Sequence, residues 1–356
     1  LAVCSANLPI SADIDPAQTD DDIPTKQFFM SQYSGNGSNR TITTAAQPDL
    51  IFIRSYNGTQ DWYVLDSTRG ITDGKYLLTN STAVEATLPQ SNFQSVGATS
   101  VGISSGTWLN SSGSEYQMWM WKVNGGTTST NNEGNHTCTL QANAKAGCSI
   151  MTLANYTSAS GVTIGHGLDK APSMYWHKPL GNSKPWHVYH SSVGATKGLI
   201  LNTNAAPATA IGYFANTEPT ADVLSLGNTF AGTGDGIVYA WAEIEGYSKF
   251  GTYEGNGDND GPFIYMGFRP RMVVIKAIDS SQAWYVADTA RETFNPLGEK
   301  MLSWNDSHAE FDPSGFNFDV VSNGIKIRSS DTNINSSATF IYMAWGDVPF
   351  KYNNTF

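Results

Sequence analysis

Trp62-Tyr63-Val64-Leu65-Asp66-Ser67-Thr68-Arg69 returns late in the chain as Trp284-Tyr285-Val286-Ala287-Asp288-Thr289-Ala290-Arg291. A weaker copy, Trp186-His187-Val188-Tyr189-His190-Ser191, lies between them. Fourteen residues before each tryptophan stands a proline, Pro48, Pro172 or Pro270, opening an apolar run that closes on a basic residue, Arg54, Lys178 or Lys276. Further upstream, Tyr33, Tyr156 and Tyr253 each begin a Gly/Ser turn, and downstream aromatic stretches finish each copy at Trp121, Trp241 and Trp345. The repeating unit is about 90 residues, the size of a domain and longer than the roughly 20 to 50 residues of a solenoid repeat. The chain therefore reads as three tandem domains.

The element type follows from period two. On that period Trp284, Val286 and Asp288 share one face of a strand, and Tyr285 and Ala287 share the other. Leu50 to Arg54 and Met272 to Ile278 are apolar runs bounded by proline and polar turns. Ser95-Val96-Gly97, Ser225-Leu226-Gly227 and Ser322-Asn323-Gly324 mark a later turn, the last an Asn-Gly hairpin signal. No amphipathic pattern reaches the length of a helix. The composition, 14% charged with 34 glycines, is poor in helix formers and rich in turn formers. These features predict an all-β chain of three tandem antiparallel β-sandwich domains, jelly-roll-like, each long enough to bury its own core.

The boundaries read as an extended arm over 1–23 with Asp13, Asp15, Asp20, Asp21 and Asp22, a first sandwich over 24–123, a linker over 124–150 holding Cys138 and Cys148, a second sandwich over 151–246 and a third over 247–356. The junction at Glu245-Gly246-Tyr247-Ser248 has almost no linker, which predicts rigid coupling of the last two domains and looser attachment of the first. Three cysteines fit no disulfide framework. Cys138 and Cys148 either close a loop or stay reduced, the second being favoured, and Cys4 is left over.

A net charge of -11 and a pI near 4.9 argue against nucleic acid and anionic membranes as partners. No stretch approaches the roughly 18 apolar residues of a membrane helix. The opening Leu1-Ala2-Val3-Cys4 resembles no signal peptide and lacks an initiator Met, which reads as a processed or partial product.

Trp62, Trp186, Trp284, Trp121, Trp241 and Trp345 recur in phase and read as core. Asp66 with Arg69, and Asp288 with Arg291, read as structural ion pairs at a strand end, because the middle copy has His190 and Val193 there. Trp108, Trp119, Trp176 and Trp304, with His308, lack counterparts in all three copies. Sugars stack on exposed aromatic faces while polar loop residues fix their hydroxyls, so Trp304, Asn305, Asp306, His308, Trp108 and Trp176 are the glycan-binding candidates. The competing reading is that they fill interfaces between domains or protomers. His166, His177, His187 and His190 lack metal-ligand spacing, and Asp258-Asn259-Asp260-Gly261 has Arg269 where a calcium loop needs a bidentate glutamate, so no metal is expected. Glu243 and Glu245 are a weak glycosidase pair without equivalents in the other copies. No phosphate loop or nucleophile elbow occurs. Neither a cofactor nor an enzymatic activity is expected.

Several longer stretches carry a resemblance. They are Cys4-Ser5-Ala6-Asn7-Leu8-Pro9 with Asp15-Pro16-Ala17-Gln18; Val162 to Pro172 with its Gly165-His166-Gly167-Leu168 core; Trp186-His187-Val188-Tyr189-His190; Ala242 to Gly251 running on to Arg269-Pro270; and Ile341-Tyr342-Met343-Ala344-Trp345 with Pro349-Phe350. The chain resembles the repeated C-terminal domains of virion appendage proteins of tailed phages from aquatic bacteria. That resemblance implies a non-enzymatic fibre, spike or surface decoration, with a further domain upstream in longer relatives, and supplies no binding residues. The expected function is thus a virion surface protein, assembled in the host cytoplasm among other virion proteins, that mediates host attachment through surface glycans. The alternative is a purely structural decoration or tail-collar protein. A homo-oligomer, with a trimer favoured, is expected to cover exposed sheet edges.

Overall fold

Short runs of β-branched and aromatic residues, broken by glycine and asparagine turns, leave the chain little choice but strands. A computed structural model describes residues 23–89, 93–156, 161–209, 211–228, 234–313 and 315–346. The expected arm over 1–23, except Ile23, lies outside them, as do Cys4 and Pro349-Phe350. Nine strands come first: β1 (Phe28–Ser34), β2 (Arg40–Thr43), β3 (Leu50–Ser55), β4 (Tyr63–Asp66), β5 (Lys75–Leu78), β6 (Ala86–Thr87), β7 (Phe93–Gly97), β8 (Ser100–Ile103) and β9 (Glu115–Trp121). Then follow β10 (Ser129–Asn131), β11 (Cys138–Asn143), β12 (Cys148–Tyr156), β13 (Val162–Gly165), β14 (Met174–Pro179), β15 (His187–His190), β16 (Lys197–Ile200), β17 (Ala208–Thr209), β18 (Val223–Leu226) and β19 (Gly234–Trp241). The last are β20 (Ser248–Glu254), β21 (Phe263–Tyr265), β22 (Pro270–Ala277), β23 (Tyr285–Asp288), β24 (Leu302–Ser303), β25 (Phe318–Val321), β26 (Gly324–Ile327) and β27 (Thr339–Gly346).

Three larger sheets carry the architecture, in the orders β1-β9-β3-β4-β5-β6, β10-β11-β12-β19-β14-β15-β16-β17 and β20-β27-β22-β23-β24. Each covers one face with a smaller sheet, β2-β8-β7, β13-β18 and β21-β26-β25 respectively. The fold is all-β with sandwich-like layering. Period-two alternation sorts the side chains as expected: Ile51, Ile53 and Leu65 enter the space under the small sheet, and Leu50, Phe52 and Val64 point the other way.

That other way is not solvent. The outward faces of all three larger sheets meet in one central cluster holding Trp62, Trp119, Trp121, Trp176, Trp186, Trp241, Trp284, Trp304 and Trp345, all at most 1% exposed. At its heart Trp121, Trp241 and Trp345 touch one another edge to face, with ring centroids 6.0, 5.4 and 6.3 Å apart. These tryptophans are buried where the sheets meet, and they fill the junction between sandwiches rather than the interior of each. A strand apolar on both faces needs both faces covered, and β3, buried at every residue, shows why one sandwich alone does not suffice.

Two expectations are corrected. The stretch 124–150 is no linker: β10 and β11 pair in sequence onto β12, extending the second large sheet. The first sandwich is not loosely attached either, because Phe28, Phe52 and Trp121 pack against Trp345, Trp176 and Trp241 from the other two. Cys138 and Cys148 are both free and buried, at opposite ends of the β11–β12 hairpin.

A core shared this way predicts cooperative unfolding. Replacing Trp241 by Ala should cost about 3 to 5 kcal/mol, while near-ultraviolet and far-ultraviolet circular dichroism still report one coincident denaturant transition. Separate transitions for separate sandwiches would contradict the shared core.

Candidate functional site

Each large sheet reaches into a neighbour through the same kinds of groups. Trp62 Nε1 donates to Ser303 O at 2.8 Å, Trp186 Nε1 to Leu78 O at 2.7 Å and Trp284 Nε1 to Ile200 O at 3.2 Å. The basic residues that close the apolar runs do likewise. Lys178 Nζ donates to Thr82 O at 3.1 Å, Lys276 Nζ donates to Asn204 O at 3.2 Å, and Arg54 donates to the carbonyls of Asp306, Ser307 and His308. Burial pulls the Arg54 guanidinium down to about 10 against the opposing pull of Asp306, and its plane lies over the Trp62 ring. Arg54 thus fixes the loop that carries His308.

The Asp66–Arg69 and Asp288–Arg291 pairs are buried, and each meets a residue of another sandwich. Arg69 binds Asp66 and, at 3.1 Å, Glu85, while Tyr239 OH donates to Asp66 Oδ2 at 2.6 Å. Arg291 binds Asp288 at 2.7 Å and Glu310 at 2.9 Å, and Trp119 Nε1 donates to Asp288 Oδ2 at 3.2 Å. Asp66 and Asp288 raise the pKa of their arginine partners, holding them charged against burial.

Against this frame the six glycan candidates separate. Trp304 and Trp176 are 1% and 0% exposed, with ring centroids 5.0 Å apart inside the central cluster, so neither offers a face to a sugar. The reason is size compensation. Trp176 stands four residues after its proline, as Phe52 and Val274 do after theirs, and Trp304 donates its backbone N–H to the Trp284 carbonyl as Thr79 does to Trp62 and Leu201 to Trp186. Trp119 likewise shares a place with Tyr239 and Met343, each two residues before the closing tryptophan. These tryptophans lack counterparts in size, not in position, and bulk on one strand fills space that smaller residues leave on another. Asn305 is structural too: its Oδ1 accepts from Trp284 N at 2.8 Å, as Asn80 does from Trp62 N and Asn202 from Trp186 N.

Trp108, Asp306 and His308 remain at the surface. Trp108, 38% exposed, sits in the helical turn Thr107–Asn110 just before β9, with ring centroids 5.8 Å from Tyr63 and 6.2 Å from Tyr76. Gln60 ties this turn to the His308 loop, donating from Nε2 to Trp108 O and from its backbone N–H to Ser307 O at 3.0 Å. His308, its side chain 81% exposed, lies 3.6 Å from the Asp306 carboxylate, and Asn80 holds the nearby Asp61 at 2.7 Å. Trp108 and His308 are thus carried on adjoining surface loops that Gln60 joins. Tyr76, Gln60 and Asp61 were not singled out in the sequence, where nothing marks them as neighbours of Trp108.

Residues 23–349 match the family model described as a domain of unknown function, DUF7483. The chain belongs to the DUF7483 family. No curated protein and no solved structure matches it.

In this DUF7483 chain the other residues weighed from sequence are tied to neighbouring groups. Glu243 is held by Lys249 at 2.6 Å in the turn after β19. The Asp258 turn is tied by side-chain amides, Asn335 donating to Asp258 O at 2.7 Å. Among the described residues no three His, Cys, Asp or Glu side chains converge as a metal site. The histidines of the second sandwich are buried instead: His177 and His187 face each other across β14 and β15, and desolvation pulls them to about 3 and about 2, with His190 at about 4.

These shifts set a pH window. Unfolded imidazoles take up protons near 6.5 while the folded ones do not, so stability falls as pH drops below about 6.5 and keeps falling toward about 3. His177 occupies the place of Ile53 and Ile275, so His177→Ile should make the melting temperature less dependent on pH between 6.5 and 4. An unchanged slope would remove His177 from the acid response.

Proposed function

We propose that this DUF7483 protein is a non-enzymatic bacteriophage virion surface protein, a fibre- or spike-like appendage that attaches to the host through surface glycans. The reading takes the three sandwiches as tandem copies of one unit of about 90 residues, with copies over 24–123, 151–246 and 247–356. The resemblance to phage appendage domains motivates it, and the placement of Trp108 supports it. β1 begins at Phe28 opposite Trp121, and β27 finishes at Gly346 opposite Pro270. Trp108 and the Gln60 and His308 loops gather at the other end of the sheets, where β9 starts at Glu115 opposite Ser34. In this reading the end that carries Trp108 is the one presented to a receptor.

Weak sugar contacts become useful by multiplicity, about 10²- to 10⁴-fold in avidity when several copies engage together. The threefold arrangement expected of a trimeric fibre is in this reading supplied within one chain, by the ring of tryptophans. A purely structural role, as a decoration or collar protein, is favoured by one observation: Trp176 and Trp304 are spent on the core and offer no receptor surface.

The two readings part on a binding assay. Labelled protein should adsorb to host cells or to their extracted surface polysaccharide, and Trp108→Ala should weaken that binding about tenfold, equivalent to 1.4 kcal/mol, with an unchanged circular dichroism spectrum. Adsorption indifferent to Trp108, or absent altogether, would leave the structural role.

A further inference from the structure

The edges of the three small sheets are treated differently. β2, β13 and β21 hold the same place, each an end strand lying between the first and second long strands of its sandwich. β2 carries Thr41 and Thr43 on its exposed side. β13 is covered by the segment that joins β10 to β11: His136 N donates to Thr163 O at 3.1 Å, Thr163 N donates to Asn135 Oδ1 at 2.8 Å, and the Asn131 side chain packs over Gly165. β21 carries Phe263 and Tyr265, 48% and 63% exposed, and among the described residues no strand pairs with its outer edge. Exposed apolar edge strands are normally blunted by charge or covered, because their free amides and carbonyls invite pairing.

The register says which groups face outward. Ile327 N donates to Pro262 O at 3.0 Å and Met266 N to Asn323 O at 2.8 Å, with Ile264 opposite Ile325 between them. Residues 262, 264 and 266 therefore bond inward to β26, and the amides and carbonyls of Phe263 and Tyr265 point to the free edge. In the second sandwich the residue at the place of Phe263 is Thr163, whose N–H and C=O are the groups that Asn135 and His136 satisfy.

We propose that the β21 edge is an interface between two copies of this chain, paired antiparallel about a twofold axis through Ile264. The sequence Phe263-Ile264-Tyr265 is self-complementary in that arrangement. Phe263 of one copy faces Tyr265 of the other and exchanges both backbone bonds with it. The same pairing repeats on the far side of the axis, and Ile264 meets Ile264 on the inner face. The four aromatic rings then line one surface of a continuous six-stranded sheet. Isologous contacts of this kind need one patch to complement itself, and this one does.

Local charge permits the approach although each chain carries -11. Lys326 is paired with Asp260 at 2.7 Å and Arg328 with Asp319 at 2.7 Å, so the basic and acidic groups beside β21 balance. The contact is small and is expected to be concentration-dependent. It is independent of the attachment reading and uses none of the residues named there.

Sedimentation equilibrium of the full chain over a concentration series tests the proposal. A monomer–dimer equilibrium is expected, and Phe263→Lys with Tyr265→Lys should raise its dissociation constant at least tenfold while circular dichroism stays unchanged, both side chains being exposed. On a Cys4→Ser background, mixing chains carrying F263C with chains carrying Y265C should give an oxidised cross-link that neither gives alone. A monomer at every concentration, a dimer indifferent to the double substitution, or a cross-link between like positions would each overturn it.

Discussion

Everything in this fold depends on three indoles. Trp121, Trp241 and Trp345 close the long strands of three sheets and meet edge to face, an arrangement that lets each ring present its positive rim to the negative face of the next. Around them six more buried tryptophans fill the space where the sheets meet. Indole is well suited to such a junction because it carries much apolar surface and one donor. Trp62, Trp186 and Trp284 use that donor to bond a backbone carbonyl in the adjoining sheet, so the interface fixes register as well as burying area.

The direction of those bonds is informative. The first sheet donates to the third, the third to the second and the second to the first. Arg54, Lys276 and Lys178 follow the same circuit. Head-to-tail contacts of this kind run on into filaments unless the rotation between members closes the circle. Here the circle closes after three, and covalent continuity guarantees that the members are present in equal number. The sheets leave no unmatched tryptophan face for a further member to occupy.

Period two made the strands legible, and the fourteen-residue spacing from Pro48, Pro172 and Pro270 marked a long apolar strand ahead of each tryptophan. The partner of each face was not. Alternation tells that Leu50 and Phe52 lie together and that Ile51 and Ile53 lie together, but both sets are apolar, and nothing local distinguishes a face under a small sheet from a face on a shared axis. The candidate site suffered from the same limit. Trp176 and Trp304 stood out because Phe52, Val274, Thr79 and Leu201 are smaller, and the pooling of volume across three strands is visible only when the strands are brought together. Trp108 stays at the surface in its polar turn, and Tyr76 and Gln60 reach it through a fold that no spacing encodes. A signal for Asn305 did exist, since Asn80, Asn202 and Asn305 follow the residues that pair back onto the three tryptophan carbonyls.

The middle tryptophan motif departs most from the other two, and its departures belong together. At the place of Asp66 and Asp288 it has His190, and at the place of Arg69 and Arg291 it has Val193, so one of the three junctions lacks a buried ion pair. Buried pairs of that kind contribute little net stability but penalise misregistered docking, since either charge left alone would be costly. The second sheet has a different device at its other edge. β10 and β11 continue it beyond β12, and Gln141 on β11 donates from Nε2 to Ser67 and Thr68 of the first sandwich at 2.9 and 2.8 Å. Asn143 bonds Gln27 at 2.8 Å in the same junction. What the sequence presents as a linker is therefore a clamp between the first and second sandwiches, and it adds hydrogen bonds to the junction where Tyr239 meets the Asp66–Arg69 pair.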